Sequence, residues 1–298
     1  MGVQLPEVEY VARWPELRAM SETAERIGLD SIWVGDHLIY RGDGQAARGP
    51  WEAWTTLAAV AAVTTRVEIG PLVAATSFHN PAMIAKKAAT LEEISGGRLI
   101  LGLGAGWNRS EYDAFGFPYD HRVSRFGEAF TIIRSLLSTG RCDFHGTYYD
   151  LDDCELLPRG PRPAGPPLMV GSEGPRMLSI TLPHVASWNA WFSWFGNSAD
   201  GYRELRARID DACRAAGRDP GDVARTVALL VGFPGGQGRT GGELTRPDVD
   251  PVSGEPAALA KVLRAFAEEG VDHVQLVLDP ITPATVHALA PTLHLLDG

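Results

Sequence analysis

Along the chain, short runs rich in β-branched and aliphatic residues alternate with longer stretches whose apolar positions recur at three- and four-residue spacing. The short runs are GVQL (2–5), SIWVG (31–35), VEIGPLV (67–73), RLILGLG (98–104), PLMVG (167–171), VASW (185–188), TVALLVG (226–232) and HVQLVL (273–278). Their apolar residues follow one another instead of alternating with polar ones, the pattern of strands covered on both faces, as in a parallel sheet. The longer stretches read as helices. Residues 14–28 place Leu17, Met20, Ala24 and Ile27 on one face, and 51–65 do the same with Trp54, Leu57, Val60, Ala61 and Val63. Residues 80–97 open with Asn80-Pro81 and close on Gly96-Gly97, a start and stop that suit a helix. Stretches 124–140, 174–182, 199–217, 255–270 and 282–296 complete eight strand–helix units.

Eight such units in 298 residues predict an α/β fold of the TIM (β/α)8 barrel type, with insertions in the strand-to-helix loops, read as a single domain over 1–298. A doubly wound open sheet is the alternative. In a barrel the site lies where strands end and helices begin. The long loops of that kind are 36–50, 105–121 and roughly 232–254. A further excursion over roughly 140–166 precedes the fifth strand; HGTYYDLDDCELLP in it suggests a β-hairpin and PRGPRPAGPP a stiff surface linker.

Composition narrows the function classes. A net charge of −10 with no compensating basic patch argues against a nucleic-acid partner. It leaves room for an anionic cofactor in a locally positive pocket. The three cysteines, Cys142, Cys154 and Cys213, form no C-x-x-C, so neither a disulfide scaffold nor a zinc knuckle is expected and a reducing cytoplasm is the natural setting. No apolar run reaches the roughly 18–20 residues of a membrane span, and no signal peptide opens the chain.

Four motifs fall on strand ends. In VGDHLIY, Asp36 and His37 follow the second strand, where a carboxylate beside an imidazole can orient it for proton transfer; a capping Asp and a surface His are the plainer alternative. The third run ends in Ala74, Ala75, Thr76 and Ser77, small enough to let a flat ligand lie on the backbone or to fill a narrow barrel. The fourth ends in Gly104, Ala105 and Gly106. Gly102 and Gly104 begin a G-x-G-x-x-G, but Trp107 holds its third glycine position, so this is not a Rossmann turn. In PLMVGSEGPRML, Gly171, Ser172, Glu173, Gly174 and Pro175 open a helix with Arg176 in its first turn, which is either a capped helix or an anion site made of amides, a hydroxyl and a guanidinium. Arg122 and Arg125 of DHRVSRF start another helix on the same face. H-E-x-x-H, EF-hand and G-x-S-x-G patterns are absent from the sequence.

These motifs, in this order, resemble the luciferase-like monooxygenase superfamily, and within it the coenzyme F420-dependent oxidoreductases. GLDSIWVGDHL, ISGGRLILGLGAGW, FGFPYDHRVSRF, HGTYYDL, PLMVGSEGPRML and GVDHVQLVLDP carry the likeness over nearly the whole chain. The resemblance implies a deazaflavin (coenzyme F420) lying across the mouth of a TIM barrel, with hydride passing to or from a small organic substrate. It implies Asp36 and His37 near the reactive ring face, and Ala74 to Thr76 and Gly104 to Gly106 along the ring. Gly171 to Arg176 would lie on the phosphate side, and a cis peptide would fall at Leu72–Val73. Its alternatives are an FMN-dependent monooxygenase of the same fold and a barrel that binds flavin without turnover. Members of the family are often dimers, so a homodimer is among the expected assemblies. Two departures bear on the substrate. The glutamate that serves as proton donor in related sugar-phosphate dehydrogenases falls at Trp107, and a tryptophan after the Asp-His pair is replaced by Tyr40. A sugar phosphate is therefore not the expected substrate.

Overall fold

A computed structural model describes residues 1–41, 44, 46–237 and 249–297. Nine strand segments pair in parallel along one path: β1 (Gly2–Gln4), β2 (Ser31–Val34), β3 (Glu68–Pro71), β4 (Ala74–Ala75), β5 (Leu101–Gly104), β8 (Leu168–Gly171), β9 (Ser187–Ala190), β10 (Ala224–Gly232) and β12 (His273–Asp279). The two segments between β5 and β8 form a separate antiparallel hairpin, β6 (Arg141–His145) and β7 (Asp150–Glu155), and β11 (Val252–Ser253) pairs with the end of β10. The path runs β3-β2-β1-β12-β10-β9-β8-β5-β4, and a parallel bridge from Ile69 to Leu99 ties β3 back to the approach of β5. The result is a nearly closed parallel barrel wrapped in helices, the TIM architecture.

The third sequence run is split. β3 pairs with β2, β4 pairs with β5, and the peptide between Leu72 and Val73 is cis, at the position the resemblance implies. Apolar residues fill the layer between the strands and the helices, where Val3, Ile32, Ile69, Leu101, Leu103, Val170, Trp188 and Leu276 are fully buried, while on the other face of the strands Asn189 donates to Thr226 and Gln275.

The helices are α1 (Trp14–Ile27), α2 (Ala53–Val63), α3 (Pro81–Ser95), α4 (Arg109–Phe115), α5 (Arg122–Thr139), α6 (Pro175–Thr181), α7 (Ala199–Ala215), α8 (Pro256–Glu268), α9 (Pro283–His287) and α10 (Ala290–Asp297). Their faces follow the periodicity: Leu17, Met20 and Ala24 of α1, and Trp54, Leu57, Val60 and Ala61 of α2, are buried. Asn80 caps α3 by accepting from the amides of Ala82 and Met83, and Gly96 ends it with φ +67°. Two expectations need correction. The stretch 282–296 is two helices, because Pro291 has no amide to continue the ladder from α9. The stretch 105–121 is not all loop: Asn108 caps the short α4, and Gly116, with φ +76°, ends it.

The excursion before β8 has the expected hairpin. It leaves from the end of α5, yet its tip returns to the start of that helix, where the Glu128 carboxylate accepts the amides of Thr147, Tyr148 and Tyr149 at 2.8–3.1 Å. The proline-rich linker behind it is pinned by Arg162, which pairs with buried Glu92, and by Arg159, which donates to the Leu137 and Ser138 carbonyls. Among the described residues no helix is long and apolar enough to cross a membrane.

Candidate active site

In the loop after β2 the adjacent side chains of Asp36 and His37 meet different partners. Asp36 is buried at 3 % exposure; its Oδ2 accepts the Ala75 amide at 2.9 Å and lies 3.4 Å from His79 Nε2. The expected carboxylate partner of His37 is therefore engaged elsewhere, tying the β2 loop to β4. His37 meets a different carboxylate. Its Nδ1 lies 3.1 and 3.2 Å from the two oxygens of Glu111, which projects from α4 and is 1 % exposed. The same Glu111 Oε1 accepts the Leu38 amide at 2.6 Å. The rings of Tyr40 and Trp107 pack against the imidazole, at 4.9 and 5.5 Å between centroids, and against each other at 6.5 Å. The Tyr40 hydroxyl donates to Glu7 at 3.1 Å, and Glu7 in turn accepts from Gln4. Burial opposes a charge on His37, but the bond to Glu111 and the negative charges of Glu7, Glu111 and Asp36 outweigh it and raise its pKa.

The mouth beside this pair is built from the broken strand. Ala74, Ala75 and Thr76 are 0, 5 and 1 % exposed; Thr76 Oγ1 donates to the Gly104 carbonyl and Ser77 to that of Ala105. Their side chains therefore stitch β4 to β5 and leave the open floor to half-buried Val73. The glycines serve that residue. A Cβ on Gly104 would fall 2.8 Å from Val73 Cγ2, and one on Gly171 would fall 3.2 Å from Cγ1. Gly106 has φ +75°, and the Tyr112 hydroxyl, which donates to the Ala105 carbonyl, fills the space its side chain would need. Val73, Ala105 and Gly106 thus present a low apolar floor of partly exposed atoms.

At the other end of the mouth, Ser172, Glu173 and Gly174 are half-buried before α6. The Gly174 amide donates to Ser172 Oγ at 3.3 Å, and a Cβ there would meet nothing closer than 3.9 Å, so the backbone stands open. Arg176 reaches across to α5 and donates to Ser124 Oγ at 2.9 Å. Both residues line a cleft of about 460 Å³ shared with Tyr148 of the hairpin tip. Arg122 lies over the Tyr119 ring at 3.8 Å, and Arg125 bonds the Asp120 carbonyl and lies over Tyr148. The three arginines surround the start of α5, but Arg122 and Arg125 are occupied by neighbours, and neither makes a hydrogen bond to the Ser172 segment.

Comparison with known proteins decides the family. Residues 2–232 match the model of the luciferase-like monooxygenase family. The chain belongs to that family. As a luciferase-like chain it is 33 % identical over 233 residues to an F420-dependent glucose-6-phosphate dehydrogenase of Amycolatopsis mediterranei, covering 76 % of this chain and 64 % of that one. It is 34 % identical over 183 residues to the pyrimidine monooxygenase RutA of Cronobacter sakazakii, covering 60 % of this chain and 53 % of the relative. The chain thus spans less than two thirds of either relative's length. Its fold superposes with a TM-score of 0.78, at 19 % identity, on an F420-dependent secondary alcohol dehydrogenase crystallised with an F420–acetone adduct, covering 94 % of both chains.

Within this luciferase-like barrel, His37, Gly104 to Gly106 and Gly171 to Gly174 gather around one mouth, while Asp36, Ala74, Ala75 and Thr76 stand behind it as supports. Glu111 is the residue that sequence reasoning missed. Its signal was an Asn-x-x-Glu spacing from Asn108, the pattern of a capping box. Asn108 does cap α4 through Ser110, but the glutamate turns away from the cap to His37, 74 residues back along the chain. The loop residues 42, 43 and 45 and 238–248, inside the expected site loops 36–50 and 232–254, lie outside the described residues.

Proposed function

We propose that this chain is an F420-dependent oxidoreductase acting on a small organic substrate that is not a sugar phosphate. The observation that carries the reading is the buried Glu111–His37 pair beside the open floor of Val73, Ala105 and Gly106. A flat heterocycle needs such a floor, and hydride chemistry needs a proton carrier beside it. When bound, the deazaflavin supplies the hydride. Val73, Ala105 and Gly106 would support its ring. The Glu173 amide, Ser172 Oγ and Arg176 would hold its anionic end, the open space beside Gly174 being where an anion can approach. His37 holds or moves a proton at Nε2, which has no hydrogen bond among the described residues. The names of the Amycolatopsis dehydrogenase and the secondary alcohol dehydrogenase support this cofactor.

RutA supports a second reading, FMN-dependent monooxygenation with oxygen. Separate titrations of the purified protein with F420 and FMN, followed by absorbance and fluorescence, test the choice. The expected outcome is tighter binding of F420 and turnover that needs no oxygen. Turnover only with reduced FMN and oxygen replaces the first reading with the second. Binding without turnover of any substrate leaves a carrier.

A further inference from the structure

His37 touches the substrate side of the mouth through one nitrogen and a buried glutamate through the other. We infer that Glu111 is a positioning residue that holds His37 as an imidazolium with Nε2–H directed at the substrate, so that the site is poised for reduction. The inference rests on the reading of the site as a hydride-transfer centre and deepens it by naming the substrate as the acceptor, a molecule with a polarised double bond.

Geometry comes first. Glu111 is 1 % exposed, and its Oε1 accepts the Leu38 amide at 2.6 Å. Its Oε1 is already engaged as an acceptor, and a carboxylate has only acceptors to offer. His37 Nδ1 must then be the donor at 3.1 Å, which leaves Nε2 for the site. A buried anion is also costly without a cationic partner, and protonation of Nε2 makes His37 that partner. Among the described residues, the other titratable groups near the imidazole are Glu7, which is bonded to Tyr40 from the loop after β1, Asp36, and the Tyr40 phenol itself. The carboxylates among them act in the same direction as Glu111.

The chemical consequence is directional. In reduction, the substrate carbon gains a hydride from the reduced deazaflavin, and its heteroatom gains the Nε2 proton. The N–H electron pair stays on the imidazole, and solvent restores the proton. Oxidation needs a neutral Nε2 as base, which Glu111 disfavours at neutral pH.

The test follows the His37 ring signals by proton–nitrogen NMR in the cofactor-free protein, assigned with His37→Ala, in wild type and Glu111→Gln. Gln keeps the shape and the acceptor but removes the charge. Wild-type His37 is expected to titrate above the ordinary value of about 6.5, and Glu111→Gln to titrate at least one pH unit lower. The alkaline limb of kcat for reduction should move down with it, a tenfold loss per unit on that limb. A wild-type His37 that is neutral at pH 7, or a titration unchanged by Glu111→Gln, overturns the inference; the first reading needs no variant to fold. If His37→Ala leaves turnover intact, it is the proposed function that fails. If His37→Ala slows turnover while His37 titrates normally, only the role of Glu111 fails.

Discussion

Three Asp-His pairs occur in this chain, at 36–37, 120–121 and 272–273, and at the scale of single residues the barrel sends the first and the last to opposite ends. His37 follows β2 and sits at the mouth, whereas His273 begins β12 at the far end of the barrel. There the Trp33 indole donates to Ser31 Oγ, and Ser31 lies 2.7 Å from His273 Nε2, so the hydroxyl hydrogen is left for a neutral imidazole. Asp272 accepts the Arg225 amide. His37→Ala is expected to lower turnover roughly ten- to a thousandfold with folding intact, the scale of a lost acid–base group. His273→Ala should leave turnover near wild type. Steady-state rates on one accepted substrate, with cofactor content and melting temperature measured alongside, decide it; equal losses would place both histidines in the same role. His37 was legible because it stands at the end of a recognisable strand. Its partner was not, because pairing across 74 residues depends on how α4 folds over the β2 loop, and adjacency in sequence pointed to Asp36 instead.

At the scale of elements, the eight strand runs were legible because burial on both faces leaves few polar interruptions, such as Gln4 and Gln275. The split of the third run was not written in its hydrophobicity, and its position came from the family likeness. The glycines of β5 were legible as a place where side chains are absent, but not as to what fills the space. The structure assigns that space to Val73, which gives a coupling experiment. Gly104→Ala puts a methyl 2.8 Å from Val73 Cγ2 and should cost about 1–3 kcal/mol by overpacking. Val73→Ala relieves that clash, so the double variant should be more stable than the sum of the singles by at least about 0.5 kcal/mol. Urea unfolding of the four proteins measures the difference, and simple additivity would mean that another group abuts Gly104.

For the whole molecule, the half-buried histidine at the N-terminal end of the barrel sets a limit in acid. Burial pushes the His273 pKa down to about 3, below its unfolded value of about 6.5. The unfolded chain therefore binds the extra proton first. The stability that depends on a neutral His273 is complete above pH 6.5 and falls as the pH drops, by about 2 kcal/mol between pH 6.5 and 5. His37, shifted the other way, contributes stability that is present below 6.5 and lost as the pH rises through its raised pKa. His273→Asn should flatten the acid side of a urea-stability profile by about one proton, and an unchanged slope would show that His273 is protonated in the native state. The barrel class was legible from the count and order of units, since eight repeats of one pattern leave few ways to close a sheet. The hairpin has a different consequence. It leaves from the C-terminal end of α5 and returns its tip to that helix's first turns, held there by Glu128 and by Arg125 over the Tyr148 ring. The hairpin is a sheet apart from the barrel, so a change in its tip can redraw the contour of the cleft beside Arg176 without shifting the register of any barrel strand.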